Sequence, residues 1–212
     1  MIWENLAPQF LYDDKVADFA DKHDLRGWES WFAPYEREVY EFALERLQPE
    51  DVVLDIGAGD FRFALAAAKR AQRVYAVEVY PPLVTDFLAR HGADLPRNLQ
   101  VVCANAIDLP FPADATVGVL LMRHCQHFGL FFHKLQAVGA RRLFTNARWK
   151  SGVEEIDLLA PRQPVDRVPP GWYACACGAV GFKAPPHPED DWEEAIHEVS
   201  SCPQCQTQGA AP

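Results

Sequence analysis

Residues 52–60 read VVLDIGAGD. The first five letters are a short, mostly β-branched run of the kind that forms a strand buried on both faces. Asp55 breaks that run one residue before its end, and Gly57 and Gly59 follow at once. Neither glycine carries a Cβ, so the chain can turn sharply here and a ligand can come close to the backbone. The next question is what chemistry suits a turn that carries acids and glycines together.

Apolar strands alternate with helical runs downstream of this stretch. FRFALAAAKRA is alanine-rich and predicts a helix. RVYAVEV (73–79) reads as a second strand, and PLVTDFLARHG as a helix closed by Gly92. LQVVCAN (99–105), TVGVLLM (116–122) and RRLFTNARW (141–149) supply three further strands, with HKLQAVGA as a helix tail before the last. The alternation predicts an α/β fold: a doubly wound, mostly parallel sheet with helices on both faces. Ligands of such sheets bind beyond the carboxyl ends of the strands, where the strand order reverses. The glycines lie at such an end.

Upstream, residues 1–48 predict an N-terminal helical segment or lid. In PYEREVYEFALERL, Tyr35, Val39, Phe42, Ala43 and Leu47 fall near one helical face, and Pro34 suits a first turn. Trp28, Trp31 and Phe32 lie just before, where they either pack on the next domain or cover a ligand. Downstream of Trp149 the periodicity stops. Residues 49–150 therefore read as the ligand-binding domain and 151–170, with four prolines, as an irregular connector. Residues 171–206 read as a small module, with two short strands around a cysteine pair. Within that module, PEDDWEEAIHE reads as a solvated, partly helical segment.

Composition narrows the function classes. Of 212 residues, 49% are hydrophobic, enough for one full core plus an appendage. No apolar run approaches the ~20 residues that span a bilayer, so no membrane role is expected. The first residues lack the basic-then-apolar order of a signal peptide, which implies a cytoplasmic protein. The net charge of −10 argues against a surface that grips nucleic acid throughout. A local basic group remains at Arg141, Arg142, Arg148 and Lys150.

The turn itself excludes two phosphate sites. A dinucleotide fingerprint needs a third glycine where Arg62 stands, and no Lys-Ser or Lys-Thr pair follows to make a phosphate loop. Asp60 would meet any phosphate at the next helix start and repel it. Asp55 and Asp60 suit instead a cationic ligand without phosphate, such as S-adenosylmethionine, which carries a sulfonium and an ammonium.

Asp55-Ile56-Gly57-Ala58-Gly59 resembles the first motif of the class I S-adenosylmethionine-dependent methyltransferases, which share a Rossmann-like fold. The resemblance runs from about Asp51 to Trp149. It implies that Glu78, ending the second strand, accepts hydrogen bonds from both ribose hydroxyls. It implies that Val79 packs on the adenine, and that Asn105 with Ala106 lies along the adenine edge. The family often has an acid at Asn105, and Asp108 is the alternative. The methyl group would point toward MRHCQHFG, the loop after the fourth strand. The Asn-Pro-Pro-aromatic motif of enzymes acting on base amines is absent there, and Cys125 follows His124 rather than a proline. His124 is the candidate general base, with His127 the other, although methyl transfer needs little beyond alignment.

Six cysteines remain to be placed. Cys103 and Cys125 are isolated, and Cys125 reads as a small buried residue. Cys175, Cys177, Cys202 and Cys205 form two tight pairs with 24 residues between them. Such pairs can supply four tetrahedral thiolates to one structural zinc, and the module resembles a zinc ribbon. His187 and His197 are reserve ligands. Two disulfides are the alternative, disfavoured without an export signal. Three functions stay open: a methyltransferase guided to RNA or protein by the zinc module, a small-molecule methyltransferase, and a non-catalytic cofactor-binding interaction subunit. The methyl acceptor is not written in the sequence.

Overall fold

The computed structural model describes residue 35 and the ranges 37–123, 125–149, 152–189 and 191–207. The expectations for Trp28, Trp31, Phe32, Pro34, His124 and Lys150 lie outside the described residues. Six strands build the main sheet: β1 (Val52–Ile56), β2 (Arg73–Glu78), β3 (Leu99–Cys103), β4 (Val117–Leu120), β5 (Arg142–Thr145) and β6 (Glu154–Asp157). Their order is β3-β2-β1-β4-β5-β6; the first five are parallel and β6 runs antiparallel to β5.

Both faces of this sheet are covered, which is why β1 shows no polar alternation. On one side α1 (Arg37–Leu44), α2 (Arg62–Ala67) and α3 (Pro81–His91) bury Tyr40, Leu44, Ala64 and Phe87 with Val53. On the other, α4 (Phe128–Ala137) packs Phe128, Phe132 and Leu135 on Leu54 and Ile56. The helix predicted before the sheet is present, with Val39, Tyr40, Ala43 and Leu44 buried. Among the described residues, no helix is long and apolar enough to cross a membrane.

Three local expectations differ. Residues 154–157, inside the stretch expected to be irregular, form β6, because Ile156 can be buried while its neighbours stay more open; the prolines come after. Gly92 keeps a right-handed φ of −57° and leads into a short 3-10 turn, Gly92–Asp94, rather than stopping the helix in the left-handed region. The acidic run expected to be partly helical instead contributes β9 (Glu193–Val199). It pairs in parallel with β7 (Gly171–Cys175), which also pairs antiparallel with β8 (Val180–Lys183). Ladder hydrogen bonds to β7 override the helix preference of Glu and Ala. A short helix, α5 (Pro203–Thr207), follows the third cysteine of the group.

The small sheet is fastened to the main one. Ala176 belongs to the same buried cluster as Phe128 and Phe132. A Cβ on Gly129 would lie 3.1 Å from Cys177 Cα, and one on Gly178, at φ +99°, would lie 3.0 Å from Phe128 Cβ. The side chain of Arg148 is 0% exposed. Its Nη2 donates to Glu154 on β6 (2.7 Å) and to Glu198 on β9 (2.5 Å), tying the two sheets together. Burial alone would lower its pKa, but the bonds from both carboxylates hold it raised.

Candidate functional site

The strand order reverses between β1 and β4, and the acid-glycine turn leaves β1 at that point. Gly57 and Gly59 have φ of +74° and +58°, the left-handed region that their lack of a Cβ permits. A Cβ on Gly57 would also meet Met122 Cε at 2.7 Å, so the turn lies against the loop after β4. The Gly57 and Ala58 N–H groups both donate to the Val77 carbonyl at 2.9 Å, which fixes the turn to β2. Phe61 follows at φ +63°, unusual for a bulky residue, and is held by stacking on Phe87 at 4.4 Å. Nothing in the sequence marked that conformation.

Three carboxylates surround the turn, and their environments differ. Glu78 is buried, and its two oxygens accept from Gly59 N–H and Tyr80 N–H, each at 2.8 Å. Burial raises its pKa while those bonds and one from Val79 oppose the rise. Asp60 pairs with Arg62: Arg62 Nε donates to both its oxygens, at 2.9 and 2.8 Å, and Nη2 donates as well. Its charge is answered internally, so Asp60 is less open to a ligand than its position in sequence implied. Asp55 has no such partner. Its Oδ2 is buried without a hydrogen bond, and burial, then the Glu78 and Asp60 charges, push its pKa up to about 8. A cationic group placed beside it would remove that strain.

Val79 is half-buried immediately beyond Glu78. Asn105 and Ala106 begin the loop after β3. Asn105 Oδ1 accepts from Ile107 N–H at 3.0 Å, so part of its amide already shapes the loop. Lys134, on α4, was not visible as a site residue in the sequence. Its ammonium donates to the carbonyls of Ala106, Ile107 and Leu109 at 2.7, 2.8 and 2.7 Å and lies 4.4 Å over the Phe111 ring. Burial lowers its pKa. Asp108 is exposed on the same loop.

In the loop after β4, Cys125 is buried among apolar side chains, in keeping with a packing role. His127 precedes the first turn of α4, with its ring 6.3 Å from Phe131. Arg123 N–H donates to the Tyr35 hydroxyl at 3.0 Å, and its guanidinium lies 5.0 Å over that ring. Tyr35, just before α1, thus reaches the loop where an acceptor would sit. Two members of the basic group read from the sequence are spent: Arg148 is buried, and Arg142 bonds Asp51 at 2.6 Å and Glu155 at 3.4 Å, whereas Arg141 is exposed.

In the small sheet the four cysteines converge. Cys175, Cys177, Cys202 and Cys205 place their sulfurs within 4.8 Å of one another. The closest pairs are 3.6 Å (Cys175–Cys205), 3.7 Å (Cys177–Cys202) and 3.8 Å (Cys202–Cys205). A disulfide needs about 2.05 Å. Four sulfurs each ~2.3 Å from one tetrahedrally held zinc stand about 3.8 Å apart, so the donor set fits that ion. The hydrogen bond from Cys175 lowers the Cys177 pKa to about 5, leaving one thiolate ready in the group. His197 Nε2 lies 3.5 Å from Glu193 and is not part of the sulfur group.

Comparison with known proteins bears on the main sheet. A family model described as a methyltransferase domain matches residues 53–140. Over 70 residues the chain is 37% identical to a probable ribosomal RNA small subunit methyltransferase A of Methanosarcina mazei, covering 33% of this chain and 25% of that protein. Over 75 residues it is 34% identical to a dimethyladenosine transferase of Chaetomium thermophilum, covering 34% of this chain and 20% of that one. The chain spans about a quarter or less of the length of these two relatives. Among solved structures it is similar to the YcgJ protein of Bacillus subtilis, with TM-score 0.45 and 21% identity over 52% of this chain and 50% of that one. It is also similar to the 23S rRNA methyltransferase ErmE, with TM-score 0.47 and 18% identity over 55% and 48%. Residues 53–140 thus match a methyltransferase-domain model, and the sheet that contains them has the doubly wound, Rossmann-like strand order.

Proposed function

We propose that this chain is an S-adenosylmethionine-dependent methyltransferase whose C-terminal module is held by one structural zinc ion. The observation that carries the reading is Asp55: a buried carboxylate, one oxygen without a donor, at the switch point of a methyltransferase domain. Its place suits the cationic end of the cofactor, with the Gly57 and Gly59 backbone leaving room for close approach. Glu78 keeps lone pairs for the ribose hydroxyls, Val79 offers an apolar edge to the adenine, and Asn105 with Ala106 borders it. S-adenosylmethionine supplies an activated methyl group. The chain's own part is to align the acceptor and exclude water, with Tyr35 positioning the loop through Arg123. His124 is the proposed general base. Four thiolates close the zinc shell, so the metal is structural.

Two of the relatives are named as a ribosomal RNA methyltransferase and a dimethyladenosine transferase, yet the likeness covers only about a third of this chain. The Asn-Pro-Pro-aromatic motif is absent, and two arginines of the basic group, Arg142 and Arg148, are bound to acids. We therefore read the acceptor as a protein or a small molecule. The second reading, a non-catalytic cofactor-binding subunit, draws on the same missing motif. Incubation with methyl-labelled cofactor and fractionated cell extract separates them. Label removed by protease, or found in the small-molecule fraction, is expected. Label removed by nuclease overturns the acceptor reading, and no label despite cofactor binding favours the non-catalytic subunit.

A further inference from the structure

The small sheet has one face in two states. Ala174 pairs with Val180 on one side and Glu198 on the other, and at this end Glu198 is held by Arg148 of the main domain. Strand alternation puts Trp172 on that same face, toward the other end, with Phe182 paired beside it. There the cover stops. Trp172, Phe182 and Trp192 are 43%, 40% and 45% exposed. Phe182 makes edge contacts with both tryptophans at 5.3 Å, so the three rings form one preassembled surface. Large aromatic side chains exposed side by side are characteristic of binding surfaces.

The charge around the rings selects the partner. Residues 171–207 hold six acids and one lysine. That lysine, Lys183, is turned to the connector, donating to the carbonyls of Asp166 (3.0 Å) and Val168 (2.5 Å). Among the described residues, Glu189, Asp191 and Glu194 have no ion pair and are exposed. A phosphate backbone is repelled by such a rim. Lysine and arginine are attracted to it, and their cations also favour tryptophan faces. We infer that Trp172, Phe182 and Trp192 form a docking surface for a basic protein segment with lysine or arginine interspersed among apolar residues. This inference does not depend on the chain's being catalytic.

The test uses the full chain and a fluorescein-labelled peptide of alternating lysine and leucine, with anisotropy as the readout. A glutamate-for-lysine peptide and an oligouridine serve as competing probes. The lysine peptide should bind, and the other two should not. Trp172→Ala and Trp192→Ala should each weaken binding roughly tenfold, as loss of an aromatic anchor does. The exposed double change Asp191→Asn/Glu194→Gln should weaken it comparably and make it less salt-dependent, while zinc content and cofactor affinity stay unchanged in every variant. Equal affinity in the tryptophan variants reduces the effect to plain charge attraction and overturns the proposal. Tighter, tryptophan-dependent binding of oligouridine makes the surface a nucleic-acid platform instead. A dimer in light scattering that Trp172→Ala dissolves assigns the surface to a second copy of the chain.

Discussion

Asp55 concentrates the chemistry of the site in one side chain. Its pKa is raised from 3.8 to about 8, so the folded protein holds a proton there that the unfolded chain has released above pH 4. The folded state then binds more protons than the unfolded one, and stability falls as pH rises from about 4 to about 8. Asp55→Asn removes this term, so the variant's melting temperature should decline less over that window. The acid–glycine turn drew attention to Asp55 in the sequence, and the family resemblance to Glu78. Their different states were not legible, because the Asp60–Arg62 pair and the backbone donors to Glu78 appear only in three dimensions. Glu78→Ala should weaken S-adenosylmethionine binding by ~1–3 kcal/mol, since it removes the ribose acceptor and the brace of the Gly59 and Tyr80 amides. Unchanged affinity by calorimetry would move the ribose elsewhere.

At the scale of elements, the parallel strands were readable because burial on both faces leaves continuous apolar runs. The acidic strand β9 was not, because its residues carry helix preference and its conformation comes from pairing with β7. Long side chains that join elements were equally silent. Lys134 spans from α4 to three carbonyls of the loop after β3, so Lys134→Met should free that loop and lower cofactor affinity roughly tenfold, with little change in global stability. Faster amide exchange at Ile107–Leu109 would accompany it; a fall in affinity without that change would argue for direct contact instead. Arg148 read as a surface cation and is a buried clamp. Arg148→Met leaves Glu154 without its cation and Glu198 with only Arg162, at 3.4 Å, and urea unfolding should show a loss of about 3 kcal/mol. A loss below 1 kcal/mol would mean that water replaces the clamp.

For the molecule as a whole, the cysteine module and the main sheet share a boundary at the loop after β4. The first cysteine turn rests on Phe128 and Gly129, where that loop enters α4. Chelation should therefore loosen residues 171–205 and also the first turn of α4, measured as lost amide protection; unchanged protection in α4 would make the module an independent appendage. The central claim is that Asp55 and its turn receive a cationic nucleoside cofactor, and calorimetric titration with S-adenosylmethionine at pH 7, in two buffers of different ionisation heat, tests it most directly. One molecule should bind per chain with release of about one proton, as Asp55 ionises against the ligand's positive charge, and no such release should occur in Asp55→Asn. Absence of binding, binding of NAD in its place, or the same proton release from Asp55→Asn would contradict it.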